Sequence, residues 1–191
     1  MGYFGRKKLV GYLRVSIDTD HPQDWLDATP ADPSRWNAHK IRLREDVHAM
    51  GHIILVGLGH KSRSYLGLPN WERDKLAELR RRFPEHEVIY RPKPRRPFPN
   101  LSCTTDDTSP IEALLQNAAL VVCRHSNVAV DAAIAGVPFE CENGAAMWLL
   151  RRPFTYESRL EFLRKLAWWQ WHKGEAQQAW SFIRTRIEER T

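Results

Sequence analysis

Residues 121–141 read VVCRHSNVAVDAAIAGVPFEC, and this stretch gives the clearest indication of the fold class. An apolar run ends at the polar tetrad Arg124–Asn127, a run of helical pattern follows, and Gly136-Val137-Pro138 leads into a second short apolar run. Continuous apolar strands that alternate with helices are typical of a parallel sheet covered on both faces. The stretch therefore predicts a strand, a helix and a strand, with a polar tetrad where the first strand meets the helix.

The same alternation continues on both sides of this stretch. Apolar runs predict strands near residues 9–15, 52–57, 87–91, 119–123 and 137–141, and amphipathic runs between them predict helices. Residues 19–40 are rich in Asp, Pro and Trp and show no period, which indicates a long loop. We therefore predict an α/β fold, a single Rossmann-like parallel sheet with helices on both faces and a helical C-terminal extension over about residues 145–191.

The composition is that of an ordinary globular protein. The 191 residues are 42% hydrophobic and 27% charged. No apolar run approaches the roughly 20 residues of a membrane span, and the start MGYFGRKK has no signal-peptide core. The three cysteines show no metal-ligand spacing, which favours a reducing compartment. We expect a cytoplasmic protein without membrane insertion, with one domain over residues 1–191 and a core over about 50–145.

The net charge of +6 is unevenly distributed. Arg80, Arg81 and Arg82 are consecutive, and the segment Arg91–Arg96 carries further cations. Such clusters suit polyanions or phosphorylated metabolites. A solvated helix face explains the first cluster equally well, so the charge by itself leaves the ligand open.

Ligands of open parallel sheets bind where the strands end, beside helix N-termini. A helix N-terminus offers unpaired amides and about half a positive charge, so a diphosphate is the expected ligand there. The spacing matches neither a Walker loop nor GxGxxG, which argues against kinases and dinucleotide oxidoreductases. The candidate nucleotide-binding residues at these strand ends are Gly57, Gly59, Lys61, Ser62, Arg91, Lys93, Ser126 and Asn127.

The segment IEALLQNAALVVCRHSNVAVDAAIAGVPFECENGAA, residues 111–146, resembles the donor-binding half of GT-B glycosyltransferases. The likeness extends over roughly residues 50–145 and is greatest to capsule-polysaccharide and sialyl- or Kdo-transferase-like enzymes. In that family a Ser-Ser or Ser-Thr pair at a strand end holds the nucleotide phosphate, and Ser126-Asn127 stands in its place. The resemblance also implies that Glu140 or Glu142 binds the ribose of the nucleotide.

The chain departs from this family in two respects. Lys93-Pro94 stands where the family carries a His-Pro pair in a basic turn. The chain also has room for only one of the two Rossmann-like halves, and the other half commonly brings the general base. A partner subunit or a second copy completes the cleft, or the loop 19–40 does so, or sugar transfer is lost.

The candidate catalytic residues are Asp18, Asp20 and His125. Deprotonating an acceptor hydroxyl requires a carboxylate or an imidazole within hydrogen-bond reach. The alternatives are that the two aspartates are solvated loop residues and that His125 is structural, while Ser126 and Asn127 only cap the following helix. Because GT-B enzymes generally need no catalytic metal, the resemblance implies no metal and no cofactor besides the nucleotide sugar as donor substrate.

The resemblance implies a glycosyltransferase that transfers a sugar from a nucleotide sugar to a polysaccharide or to modified bases in DNA, as small phage glycosyltransferases of this broad fold do. One alternative is a non-catalytic domain that sequesters or senses a nucleotide or nucleotide sugar. Another is a DNA-associated accessory protein that uses the Arg-rich turn.

Overall fold

The computed structural model describes residues 2–3, 11–47, 49–93 and 97–190. The chain divides into two compact units. We call Asp46–Glu142 the sheet unit, and Met1–Glu45 together with Asn143–Thr191 the terminal unit. The single domain over residues 1–191 stays a prediction.

Strands and helices alternate along much of the chain. The strands are β1 (Tyr12–Arg14), β2 (His52–Val56), β3 (Val88–Arg91), β4 (Thr104–Thr105), β5 (Ala118–Cys123), β6 (Phe139–Cys141) and β7 (Gln170–His172). The α-helices are α1 (Ser34–Ala38), α2 (His60–Tyr65), α3 (Trp71–Arg82), α4 (Ile111–Leu115), α5 (Val128–Ala135), α6 (Tyr156–Ala167) and α7 (Ala176–Glu188). Two 3-10 helices cover Ala145–Arg151 and Lys173–Glu175.

The sheet unit contains a five-stranded parallel sheet in the order β4-β3-β2-β5-β6. In its centre Ile54 pairs with Ile89 on one side and with Val121 on the other. These strands read as continuous apolar runs because both faces of the sheet are buried. The α/β fold class is confirmed, as are the predicted strands near 52–57, 87–91, 119–123 and 137–141.

The strand predicted near residues 9–15 is present as β1, but its predicted membership of the parallel sheet was wrong. Positions 9–10 of that prediction lie outside the described residues, and β1 pairs antiparallel with β7 in the terminal unit, with Tyr12 opposite His172. The physical reason is burial: Leu13 is 53% exposed, whereas a strand inside a parallel sheet is covered on both faces. β7 also interrupts the C-terminal region that the sequence predicts to be mostly helical.

Helix α3 packs its apolar side against the sheet. Leu76, Leu79 and Phe83 recur at helical spacing and contact a core that includes Leu55 and Tyr90. Helix α5 ends at Gly136, whose φ of 73° gives the left-handed cap that glycine adopts without strain. At its other end α5 begins at Val128, directly after the tetrad that follows β5.

The terminal unit is built around buried aromatic residues. Trp169 is buried, packs against Phe182 and Trp25, and donates its indole N–H to Thr29. The predicted long loop 19–40 contains the short helix α1. Across the described residues, no helix has both the length and the apolar character that crossing a lipid bilayer requires.

Candidate functional site

The predicted ligand-binding segments begin at the carboxyl ends of neighbouring strands. β3, β2 and β5 lie side by side and parallel, so their carboxyl ends meet at one edge of the sheet, which we call the carboxyl edge. Gly57 follows β2, Lys93 follows β3, and Arg124 follows β5. Positions 94–96 of the basic turn, Pro94 to Arg96, lie outside the described residues.

Side chains from the three loops come together at this edge. Ser62 Oγ lies 3.3 Å from His125 Nε2, within hydrogen-bond distance. The side chain of Lys93 lies against Gly59. A Cβ added to this glycine would lie 3.4 Å from Lys93 Cδ and 3.9 Å from Lys93 Nζ, and 4.0 Å from Ser62 Oγ. The structure thus brings Gly59, Ser62, Lys93 and His125 together, and these residues supply a hydroxyl, an ammonium and an imidazole.

A buried carboxylate holds the loop after β2 in place. Glu72, whose side chain is 1% exposed, accepts the Leu58 N–H at 3.0 Å and the Arg63 Nη2–H at 2.7 Å. The hydrogen bond to Glu72 raises the pKa of the Arg63 guanidinium. Gly57 is required in this loop because a Cβ there would lie 2.5 Å from the Tyr90 hydroxyl oxygen. The loop that carries Gly59 is therefore held in place by Glu72 and by the close packing of Gly57 on Tyr90.

The tetrad before α5 caps the helix in an unexpected way. Asn127 occupies the N-cap position, yet its side chain makes no cap hydrogen bond. Ser126 Oγ instead accepts the Val128 N–H at 3.2 Å. A hydroxyl that accepts one hydrogen bond still has its own proton to donate. The capping role predicted as the alternative for Ser126 is thus present, and its O–H remains suited to an anion.

The cysteine that precedes the tetrad is structural. Cys123 is buried and directs its thiol towards the Ser126 carbonyl oxygen at 3.8 Å. Burial raises the pKa of the Cys123 thiol to about 11, so it stays protonated at neutral pH. A protonated, buried thiol fits the packing of β5 and supplies no nucleophile.

The three cations predicted to bind the nucleotide differ in their surroundings. Arg91 Nη1 donates to the Asp106 carbonyl oxygen at 2.7 Å and lies 3.3 Å from its Oδ1, so this arginine holds the turn after β4. Lys61 is exposed on α2. Lys93, which follows β3, lies against Gly59, whereas Arg91 at the end of β3 contacts Asp106.

Glu140 in β6 and Glu142 directly after it both form hydrogen bonds or ion pairs within the protein. Glu140 forms an ion pair with Arg82 through both terminal guanidinium nitrogens, Nη1 and Nη2. Glu142 Oε1 accepts the Trp71 indole N–H at 2.8 Å, and Glu142 Oε2 lies 3.5 Å from Arg124 Nε. Glu142 therefore ties the tetrad to the start of α3.

The predicted catalytic aspartates belong to the terminal unit. Asp18 and Asp20 are both exposed, and Asp18 has a φ of 61°. Their role as a base stays a prediction. In the described ranges, no three His, Cys, Asp or Glu side chains are grouped so that they would hold a metal ion.

Sequence reasoning missed Glu72 and a groove along α3. Glu72 lies in the first turn of a predicted helix, where an acidic residue ordinarily favours the helix dipole and faces water. The groove has a volume of about 490 Å³ and is lined mainly by α3 and by the loop before it. No periodic signal marks either feature, because both depend on how α3 lies against its surroundings.

Comparison with known proteins gives only distant structural likeness. No protein-family model matches the sequence, and no curated protein matches it. Among solved structures the chain is similar to the β-Kdo 2,7-transferase KpsC of Thermosulfurimonas dismutans, with a TM-score of 0.48 and 16% sequence identity. The match covers 87% of this chain and 63% of that one. Nothing about the substrate or activity of this chain follows from so distant a likeness.

Proposed function

We propose that the chain binds a nucleoside diphosphate, as part of a nucleotide sugar, at the carboxyl edge of the sheet. The observation that carries the proposal is the meeting of Ser62 on α2 with His125 after β5 and Lys93 after β3. An ammonium and two hydroxyls, those of Ser62 and Ser126, suit phosphate oxygens, and the N-terminus of α5 adds favourable potential. Asn127, the N-cap of α5, would contribute its side-chain amide.

We propose further that the bound donor is used for glycosyl transfer to a polysaccharide or to a modified DNA base. An acceptor hydroxyl would attack the anomeric carbon, and the bond from that carbon to the phosphate oxygen would break. The electron pair would leave with the nucleoside diphosphate, and the hydroxyl proton would pass to His125. Ser62 would support this role by accepting the Nε2–H of His125, which orients the ring so that Nδ1 takes the proton and leaves the Ser62 O–H for a phosphate oxygen.

A thermal-shift screen of nucleoside diphosphates and nucleotide sugars tests the binding. A ligand at 100 times its dissociation constant stabilises the folded protein by about 2.7 kcal/mol, which raises the melting temperature measurably. Lys93→Ala should weaken the binding of the best nucleoside diphosphate by about 1.5–3 kcal/mol, because a charged hydrogen bond is lost. The matched control is Arg81→Ala on α3, which should leave that affinity unchanged. Equal losses in both variants would remove the basic turn from the site.

Binding without transfer is the second candidate function. It is favoured by the single parallel sheet of the described residues, since in the GT-B enzymes that the sequence resembles the second Rossmann-like half commonly brings the general base. The two functions differ in turnover. Release of nucleoside diphosphate that depends on an added polysaccharide or DNA acceptor would establish transfer, and tight binding with no release above hydrolysis would establish sequestration.

A further inference from the structure

The groove along α3 includes Glu142, one of the two carboxylates that the resemblance implies for the ribose, but none of the residues proposed to hold the diphosphate. It has a volume of about 490 Å³, within the range of small-molecule sites, and neither Ser62, Lys93, His125 nor Ser126 lines it. Leu68 and Pro69 form an apolar side. The inference below does not rest on the proposed function.

Part of the groove wall consists of charges that satisfy one another. Lys75 Nζ lies 2.7 Å from Glu78 Oε2 and 3.6 Å from Glu142 Oε1. Glu142 also accepts the Trp71 indole N–H, and the second oxygen of Glu78 accepts from Arg82. These groups form a fixed wall, since each has its partner within the protein.

Three polar side chains of the groove remain unengaged. Within the part of the chain that the structure describes, Asn70, Asp74 and Arg81 make no side-chain hydrogen bond or ion pair, and Asn70 does not cap α3 although it stands at the N-cap. Asp74 and Arg81 are seven residues apart on α3, which places them on one face about 10.5 Å apart along the helix axis. An amide, a carboxylate and a guanidinium therefore border one groove.

We infer that this groove binds a neutral oligosaccharide of two or more rings. Sugar hydroxyls both donate and accept hydrogen bonds. The three side chains can pair with them in both ways, since Asp74 accepts hydrogen bonds, Arg81 donates them and Asn70 does both. The separation of Asp74 and Arg81 exceeds the length of one pyranose ring. Leu68 and Pro69 offer apolar surface to the C–H face of a ring.

The charges of the groove argue for a neutral ligand. Its lining includes the carboxylates Asp74, Glu78 and Glu142 and the cations Lys75 and Arg81. A polyanion would meet the three carboxylates, and a polycation would meet the two cations, so either would leave like charges close together. A ligand of hydroxyl groups avoids both penalties.

The test is a titration of the isotope-labelled protein, followed by NMR at the Trp71 indole N–H. The probes are maltotriose, cellotriose and chitotriose, with glucose and a trigalacturonate as comparisons. We expect a neutral trisaccharide to shift this resonance and to bind more tightly than glucose. Asp74→Asn and Arg81→Gln should each weaken that binding about 10-fold, since a hydrogen bond to a charged group is lost.

The control variant is Arg73→Gln, an exposed arginine of α3 that does not line the groove. It should bind the trisaccharide as the wild type does. The inference is overturned if no neutral trisaccharide shifts the resonance, if trigalacturonate binds more tightly, or if Arg73→Gln weakens binding as much as Arg81→Gln.

The two proposals fail independently. Lys93→Ala should lose nucleoside diphosphate binding and keep the trisaccharide, whereas Arg81→Gln should lose the trisaccharide and keep the nucleoside diphosphate. A Lys93→Ala variant that loses the trisaccharide as well would show that the groove is not a separate site, and would overturn the inference.

Discussion

The Ser62 hydroxyl lies 3.3 Å from Nε2 of His125, a contact that joins helix α2, which follows β2, to the loop after β5. The two residues are 63 positions apart in the chain and meet because β2 and β5 are neighbouring parallel strands. The contact fixes the imidazole beside the segment in which Lys93 crosses Gly59.

This contact predicts coupling between Ser62 and His125. Ser62→Ala and His125→Ala should each destabilise the protein, and the double variant should be less destabilised than their sum by about 0.5–1.5 kcal/mol. Urea unfolding of the four proteins measures this coupling free energy. Strict additivity would show that the hydrogen bond contributes nothing to the folded state.

Ser126 separates capping from ligand binding. Ser126→Ala should lower the free energy of unfolding by about 1 kcal/mol, because the Val128 N–H loses its acceptor. Ser126→Asp keeps an acceptor and should fold, but its charge opposes a bound diphosphate, so calorimetric titration should detect no binding. Thr155→Ala is the control, because Thr155 accepts the Ser158 N–H at the start of α6. It should lose similar stability and keep ligand affinity. A folded Ser126→Asp protein with unchanged affinity would make the tetrad purely structural.

Glu72 should contribute more to stability than any exposed ion pair. Glu72→Ala leaves the Leu58 N–H and the Arg63 guanidinium without their buried acceptor, so we expect a loss of about 3 kcal/mol in denaturant unfolding. The control is Glu188→Ala, because Glu188 is exposed and lies 3.8 Å from Arg184 in an i,i+4 pair. Little change is expected there. A loss for Glu72→Ala no larger than that of the control would show that the loop is held by other contacts.

His39 predicts an acid-sensitive terminal unit. Burial, and then the charge of Arg35, lower the pKa of His39 to about 4, against the opposing effect of Glu175. Between pH 6.5 and 4 the unfolded chain binds a proton that folded His39 does not, so stability should fall as the pH falls through this range. The free energy of unfolding at pH 7 and at pH 5 gives the slope of stability against pH. Both pH values lie above the range in which most carboxylates become protonated. His39→Gln should flatten the slope, and His60→Gln, at an exposed histidine, should not. An unchanged slope in His39→Gln would assign the acid sensitivity to other groups.

Much of the fold could be predicted because the signals are local. The apolar runs of β2 and β5 and the glycine that ends α5 can be recognised within a few neighbouring residues. The meeting of polar loops at one edge also followed, because the carboxyl ends of parallel strands share an edge. The place of β1 did not follow, since the partner of a short, exposed strand depends on contacts with Gln170–His172 at the other end of the chain.

The strands of the parallel sheet, the helices between them and the edge at which polar side chains gather could be predicted from the sequence, because hydrophobic periodicity acts over a few residues. Which of those side chains meet depends on the tertiary structure. Glu72 is buried and holds a loop, Ser62 packs against His125, and Arg91 and Glu142 have partners, whereas Arg81 has none among the residues that the structure describes. These outcomes depend on distances between residues far apart in the chain, which no local pattern encodes.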